Sequence, residues 1–238
     1  MRGSTTSNFT HGTLLICLIF SVPSNVVTLQ YPPLHSRSFS DASKHVEPYH
    51  PVVIINLNDV SESDGVAELH VHEKMMELAL EQAEEAKERG EVPIGAIVVR
   101  EINSINECQR SFEILSEGRN EIEFLQDASA HAEMQALRSA ASNIHNWRLL
   151  NSTLYSTLEP CPMCLSAAQA FRVSEIVYGA PDLRLGAIET QMNLLDLVKH
   201  PFHDTIKVTG GIKKEDCSNI LVDFFRERRK KGTKKFRK

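Results

Sequence analysis

Apolar residues recur at three- and four-residue spacing between Glu73 and Arg89, where Met75, Met76, Ala79, Leu80, Ala83 and Ala86 are interleaved with acids and bases. That period predicts an amphipathic helix, and Gly90 is placed to cap its C-terminus. The continuous apolar run Ile94 to Val99 predicts a buried strand, with a second around Phe112 to Leu115 and a polar, irregular segment, Glu101 to Arg110, between them. Further on the pattern predicts a helix over Ala130 to Ser142, a strand over Thr153 to Leu158 and a helix over Cys161 to Phe171, for which Pro162 is a well-tolerated first-turn residue. A strand over Ser174 to Tyr178, a loop Gly179-Ala180-Pro181-Asp182, a short helix Met192 to Lys199, a strand Thr205 to Thr209 and a last helix Lys214 to Lys231 complete the reading. Five strands alternating with helices predict a three-layer α/β/α domain around a central sheet.

The first seventy residues read differently. No Asp or Glu precedes Asp41. Arg2 stands before the apolar run Leu14 to Val22, which is shorter than the about 20 residues a bilayer span needs and fits a signal-peptide core. The Ser-rich stretch Ser24 to Lys44 has the composition of a transit peptide. A signal followed by a transit-like segment is the layout of bipartite plastid targeting, with a mitochondrion or the cytoplasm as alternatives. The expected organisation is a targeting leader over 1–45, removed or disordered in the mature protein, a linker over 46–72, the folded domain over 73–231 and a basic tail over 232–238. Val52 to Leu57 reads as a short strand or residual leader, Asp59 to Asp64 as linker, and His70 and His72 as surface residues at a helix entry. No membrane association is expected of the mature form.

Charge adds a partner class. From Arg226 to the C-terminus the chain carries nine Lys/Arg and one acid, a local +8 on a protein of formal charge −5. A basic terminus on an acidic chain suits a polyanion, although charge runs alone also serve solubility. Hydrophobic content of 42% and charged content of 24% are ordinary for a globular protein, and five cysteines without regular spacing do not make a disulfide scaffold.

The chemistry lies in His131-Ala132-Glu133, followed thirty residues on by Pro160-Cys161-Pro162-Met163-Cys164. One imidazole and two thiols at i, i+3 make three ligands, the number a catalytic zinc takes while keeping its fourth position for water. Glu133 is then free to move protons. A redox C-x-x-C pair would explain neither His131 nor Glu133. A closed structural site needs a fourth ligand. Cys17 lies in the leader, and Cys108 and Cys217 have no partner at ligand spacing. Both metal segments open predicted helices, where unpaired backbone N–H groups and the helix dipole favour thiolates. The pattern H-x-E…P-C-x-x-C is that of zinc-dependent nucleobase deaminases.

Glu91-Val92-Pro93-Ile94-Gly95-Ala96, Gly118-Arg119-Asn120, Ala130 to Met134, Thr153-Leu154-Tyr155, Leu158 to Cys164, Val177 to Ala180 and Asp223 to Arg226 together resemble the bacterial-type tRNA-specific adenosine deaminases, within the cytidine deaminase-like superfamily. The resemblance runs from about Glu73 to Lys231. It implies a cytidine deaminase-like fold with a mixed five-stranded sheet and hydrolysis of adenosine to inosine at the tRNA wobble position. It assigns His131, Cys161 and Cys164 to one Zn2+ per subunit and Glu133 to the proton shuttle. It places Asn120 on the flipped nucleoside and Asp182 near the anticodon backbone, and it puts Phe225, Arg226, Arg228 and Arg229 against the anticodon stem-loop of a tRNA bound by a homodimer. Taken alone, Asn120 reads as a turn residue, Asp182 as a loop cap, and one of Phe224 and Phe225 as core. Two departures stand out: the connection containing Cys108 exceeds a tight hairpin, and Pro181 stands where many relatives carry another residue. A deaminase of free bases or nucleosides, of guanine or cytidine type, is the alternative within the superfamily, and a non-catalytic RNA-binding subunit the alternative outside it. Retention of Glu133 argues against the latter.

Overall fold

A computed structural model describes residues 27–29, 53–57, 64–102, 110–197, 200, 203 and 206–235. The elements run β1 (Val27–Leu29), β2 (Val53–Leu57), α1 (Asp64–Glu88), β3 (Gly95–Ile102), β4 (Arg110–Arg119), α2 (Ile122–Leu125), α3 (Ala132–Asn143), β5 (Ser152–Leu158), α4 (Pro162–Phe171), β6 (Glu175–Ala180), α5 (Leu194–Leu197), β7 (Lys207–Gly210) and α6 (Lys214–Lys235). The five expected strands form one mixed sheet in the order β4-β3-β5-β6-β7, and β2 and β1 extend its β4 edge. β3 pairs antiparallel with both β4 and β5, whereas β5, β6 and β7 are parallel.

Alternation along the strands creates the layers. Ala96, Val98, Leu154, Ile176 and Tyr178 pack with Ala132, Ala136, Leu137, Leu165 and Ala168 of α3 and α4. The intervening Ile97, Val99, Tyr155 and Val177 pack on the other face with Met75, Met76 and Ala79 of α1 and Cys217 of α6. Side chains on both faces are buried, as a sheet covered by helices on both sides requires.

Two glycines on adjacent strands allow close approach from opposite sides. A Cβ on Gly95 would stand 2.0 Å from Ala79 O of α1, and one on Gly118 would stand 2.4 Å from Ala132 O and 2.5 Å from Ala136 N of α3. Gly90, with φ +82°, ends α1 in the left-handed conformation that favours glycine.

Several boundaries differ from the sequence reading. α1 begins at Asp64 rather than Glu73, so its inner stripe gains Ala67 and Val71. His72 is therefore not a surface residue: it is 6% exposed, and its Nδ1 lies 3.0 Å from the Tyr155 hydroxyl. His70 is exposed, as expected. Gly179 and Ala180 belong to β6, because Ala180 still pairs with Leu158. β3 and β4 reach into the supposed irregular segment, with Ile102 opposite Ser111. The remaining connection, 103–109 with Cys108, lies outside the described residues, as do most of the residues expected to form a leader, Cys17 and 236–238. Among the described residues no helix is long and apolar enough to cross a membrane.

Candidate active site

His131 and Cys161 occupy equivalent positions on neighbouring helices. Each is the residue before the first helical turn, with extended backbone: φ −68°, ψ 152° at His131 ahead of α3, and φ −72°, ψ 170° at Cys161 ahead of α4. His131 thus sits just outside the helix that the apolar period was read to begin at Ala130. Pro162 takes the first helical position of α4.

The donor atoms form a small triangle. Cys161 Sγ and Cys164 Sγ are 3.7 Å apart, and each lies 3.6 Å from His131 Nδ1. Tetrahedral zinc with sulfur at about 2.3 Å and nitrogen at about 2.05 Å puts two sulfurs about 3.8 Å apart and sulfur and nitrogen about 3.6 Å apart. The three residues therefore fit zinc in separation as well as in donor type, with a fourth corner left over. Hydrogen bonds with Cys164 and His131 pull the Cys161 thiol down to about 4. Its bond to Cys161 and burial push the Cys164 thiol the other way, upward.

Glu133 lies in the first turn of α3, 4% exposed, and accepts a hydrogen bond from Ser156 Oγ at 3.3 Å. It also meets the Cys164 thiol, and burial raises its carboxyl above the ordinary glutamate range. Ser156 Oγ, inside β5, was not foreseen; a serine within an apolar strand gives no signal of what it faces.

Asn120 follows β4 and is 2% exposed. Glu121 N donates to Ala130 O at 3.0 Å, which fixes this corner beside the residue preceding His131. Asn120 Nδ2 donates to Glu91 Oε2 at 3.2 Å.

Asp182 stands in the loop after β6. It is 8% exposed, and its Oδ1 accepts from Arg184 N at 2.9 Å, so it caps its own turn. The loop is fastened by a residue that sequence reasoning passed over. Glu159, 1% exposed and two positions before Cys161, accepts from Asp182 N, Ile188 N, Glu189 N and Thr190 N at 2.8–3.1 Å, and from the Thr190 hydroxyl. A Cβ on Gly186 would collide with this carboxylate at 2.3 Å. Burial alone would raise the Glu159 pKa; the hydrogen bonds from Thr190, Glu189 and Asp182 outweigh it and hold the value below 4.5. A depressed carboxyl contributes stability that is fully present above its unfolded pKa and is lost as pH falls through the folded one. Glu159→Gln offers one acceptor oxygen where two worked, at a cost of roughly 2–4 kcal/mol at pH 7. In paired thermal melts, the gap between parent and variant should be largest at neutral pH and shrink below about pH 4.5. A gap independent of pH would contradict the assignment.

On α6, Phe224 is core at 6% exposure, whereas Phe225 is half-buried and meets its ring edge-on. Arg226, Arg228 and Arg229 are exposed. Arg226 pairs with Asp223 at 2.6 Å, and Arg228 Nη2 donates to Gly90 O at 2.8 Å, tying α6 to the residue before Glu91.

Residues 69–180 match the cytidine and deoxycytidylate deaminase zinc-binding region. The chain is 44% identical over 157 residues to the tRNA-specific adenosine deaminase of Haemophilus influenzae, an alignment covering 66% of this chain and 84% of that protein. This chain belongs to the tRNA-specific adenosine deaminase family. The Bacillus subtilis member is 42% identical over 67% of this chain and 91% of its own length. The chloroplastic tRNA(adenine(34)) deaminase of Arabidopsis thaliana is 35% identical over 66% of this chain, a match covering 12% of that longer protein. A solved structure from a study of A-to-I editing by tRNA:A34 deaminases superposes with TM-score 0.53 at 34% identity, covering 62% of this chain and 99% of that one. A protein crystallised with 2,6-diaminopurine (TM-score 0.52, 23% identity) shares the fold.

Proposed function

We propose that this protein hydrolyses adenosine to inosine at the wobble position, nucleotide 34, of a tRNA. Family membership supports the substrate. The observation that carries the chemistry is the donor triangle of His131, Cys161 and Cys164 with the buried acid Glu133 at its side. A zinc ion held by those three residues, one per subunit, would supply Lewis acidity to a water molecule at its fourth position. Glu133 takes a proton from the attacking water and delivers it to the adjacent ring nitrogen as oxygen bonds to C6. It then takes the proton of the new C6 hydroxyl and passes it to the exocyclic amine, so that the C–N bond breaks, ammonia leaves and the hydroxyl oxygen becomes the carbonyl.

Asn120, beside the start of α3, would hold the nucleoside, and Asp182, in the loop latched by Glu159, would approach the anticodon backbone. Phe225, Arg226, Arg228 and Arg229 would meet the anticodon stem-loop. A loop base can be splayed out without melting a duplex, and arginine contacts to phosphate make the affinity salt-sensitive. The reading includes a homodimer, which the family resemblance implies, and import into an organelle, a plastid ahead of a mitochondrion or the cytoplasm, on the strength of the composition of residues 1–45 and the chloroplastic relative.

The test incubates the full chain with a transcribed tRNA bearing A34 and, separately, with free adenosine, guanine and cytidine. An A-to-G change at position 34 with release of ammonia from the tRNA alone is expected, together with one zinc per chain and loss of activity on chelation. Ammonia from a free base or nucleoside with the tRNA unchanged would replace this reading by the alternative one.

A further inference from the structure

Glu91 is a buried acid that neither the donor triangle nor the proton shuttle uses. It is 2% exposed and follows the left-handed Gly90 that ends α1. Its Oε1 accepts from the Phe124 backbone N–H at 2.8 Å, which anchors α2, and its Oε2 accepts from Asn120 Nδ2 at 3.2 Å. Asn120 is equally buried, and its own backbone N–H donates to Ile94 O at 3.0 Å. The amide is thus held at both its backbone and its side chain.

An asparagine amide has one face that donates and one that accepts, and the two are close in shape. What decides between them is the partner. A carboxylate only accepts, so Nδ2 must turn towards Glu91, and Oδ1 is left on the opposite side of the amide. We propose that Glu91 is a positioning residue that sets the polarity of Asn120, so that an acceptor oxygen, not an N–H, is offered to a hydrogen-bond donor of the bound nucleotide. In adenosine those donors are the exocyclic amine and the ribose hydroxyls. The inference rests on the reading of Asn120 as a nucleoside-binding residue.

A glutamine at position 91 would occupy the same space. Its oxygen would still accept from Phe124 N–H, but its NH2 would then face Asn120. Two donors cannot pair, so the Asn120 amide would turn over and present N–H outward. Glu91→Gln therefore inverts the polarity while leaving the packing intact. Asn120→Asp in the Glu91→Gln background restores an outward oxygen, because the new amide can donate to one carboxylate oxygen and leave the other free. Asn120→Asp alone places two carboxyls against each other.

The experiment compares the full-length parent, Glu91→Gln, Asn120→Asp, the double variant and Asn120→Ala for zinc content, melting temperature, and kcat and KM on tRNA bearing A34. Glu91→Gln is expected to keep its zinc and melt close to the parent while losing roughly ten- to a hundredfold in kcat/KM. Asn120→Asp should lose at least as much, and the double variant should exceed both single variants. A lower melting temperature for Glu91→Gln with unchanged kcat/KM would mean that the pair is only structural and would overturn the inference. Full activity of Glu91→Gln beside an inactive Asn120→Ala would overturn it and leave the nucleoside-binding reading standing. Full activity of Asn120→Ala would remove both.

Discussion

Glu133→Gln should bind zinc and tRNA as the parent does and yet leave A34 unedited. The substitution keeps the length of the side chain and its position in the first turn of α3, and an oxygen remains to accept from Ser156 Oγ. What disappears is the capacity to take up and give back a proton. Positioned acid–base groups contribute roughly a hundred- to ten-thousandfold, and Glu133 handles protons at both the attack and the departure of the amine. A loss towards the upper end of that range is therefore expected in single-turnover kcat. Sequencing of the treated tRNA reads the reaction, metal analysis reads the zinc, and filter binding reads the RNA affinity. Editing within tenfold of the parent rate would remove Glu133 from the role. Glu133→Ala should behave alike in turnover but leave a hole beside Cys164, so a small loss of stability distinguishes it from the glutamine variant.

Gly118→Ala is expected to damage both stability and activity, because one methyl group meets backbone that cannot yield locally. The nearest atoms to the added carbon are Ala132 O at 2.4 Å and Ala136 N at 2.5 Å, both in the main chain of α3. A long side chain could rotate away from such a contact; a helix backbone must move as a body. α3 follows directly on His131 and carries Glu133, so its displacement opens the donor triangle and moves the acid together. Overpacking of this kind costs roughly 1–3 kcal/mol, several degrees in melting temperature for a domain of this size. Zinc occupancy and kcat should fall with it. Gly65→Ala serves as the control, since nothing lies within 4 Å of a Cβ there. Parent-like melting and turnover for Gly118→Ala would show that α3 does not depend on the contact.

The parts of the architecture that follow from local periodicity were legible in the chain. The apolar runs at 94–99 and 153–158 are buried strands, and His131 and Cys161 stand at helix starts, because Pro162 and the onset of the apolar period mark those positions. The start of α1 was not legible. Its first turns carry acids and two histidines, and His72 faces inward to partners the local sequence does not announce, the Tyr155 hydroxyl 83 residues away and the Glu175 carboxylate. Glu91 and Glu159 were missed for a related reason. Buried acids announce themselves through charged partners; Glu159 is held chiefly by backbone N–H groups, which every residue but proline possesses, and Glu91 by one backbone N–H and the neutral amide of Asn120. The roles of the α6 arginines depend on what they meet, and Arg228 spends one donor inside the molecule, on Gly90.

The early onset of α1 limits how far the polypeptide can be trimmed at its front. A recombinant chain begun at Glu73 would lose the first nine residues of that helix, about two and a half turns. It would strip Ala67, Val71 and His72 from the underside of the sheet and uncover Met75 and Met76. Any shortening of the front that keeps the whole of α1 stops upstream of Asp64, and one that also keeps the β2–β4 pairing stops upstream of Val53.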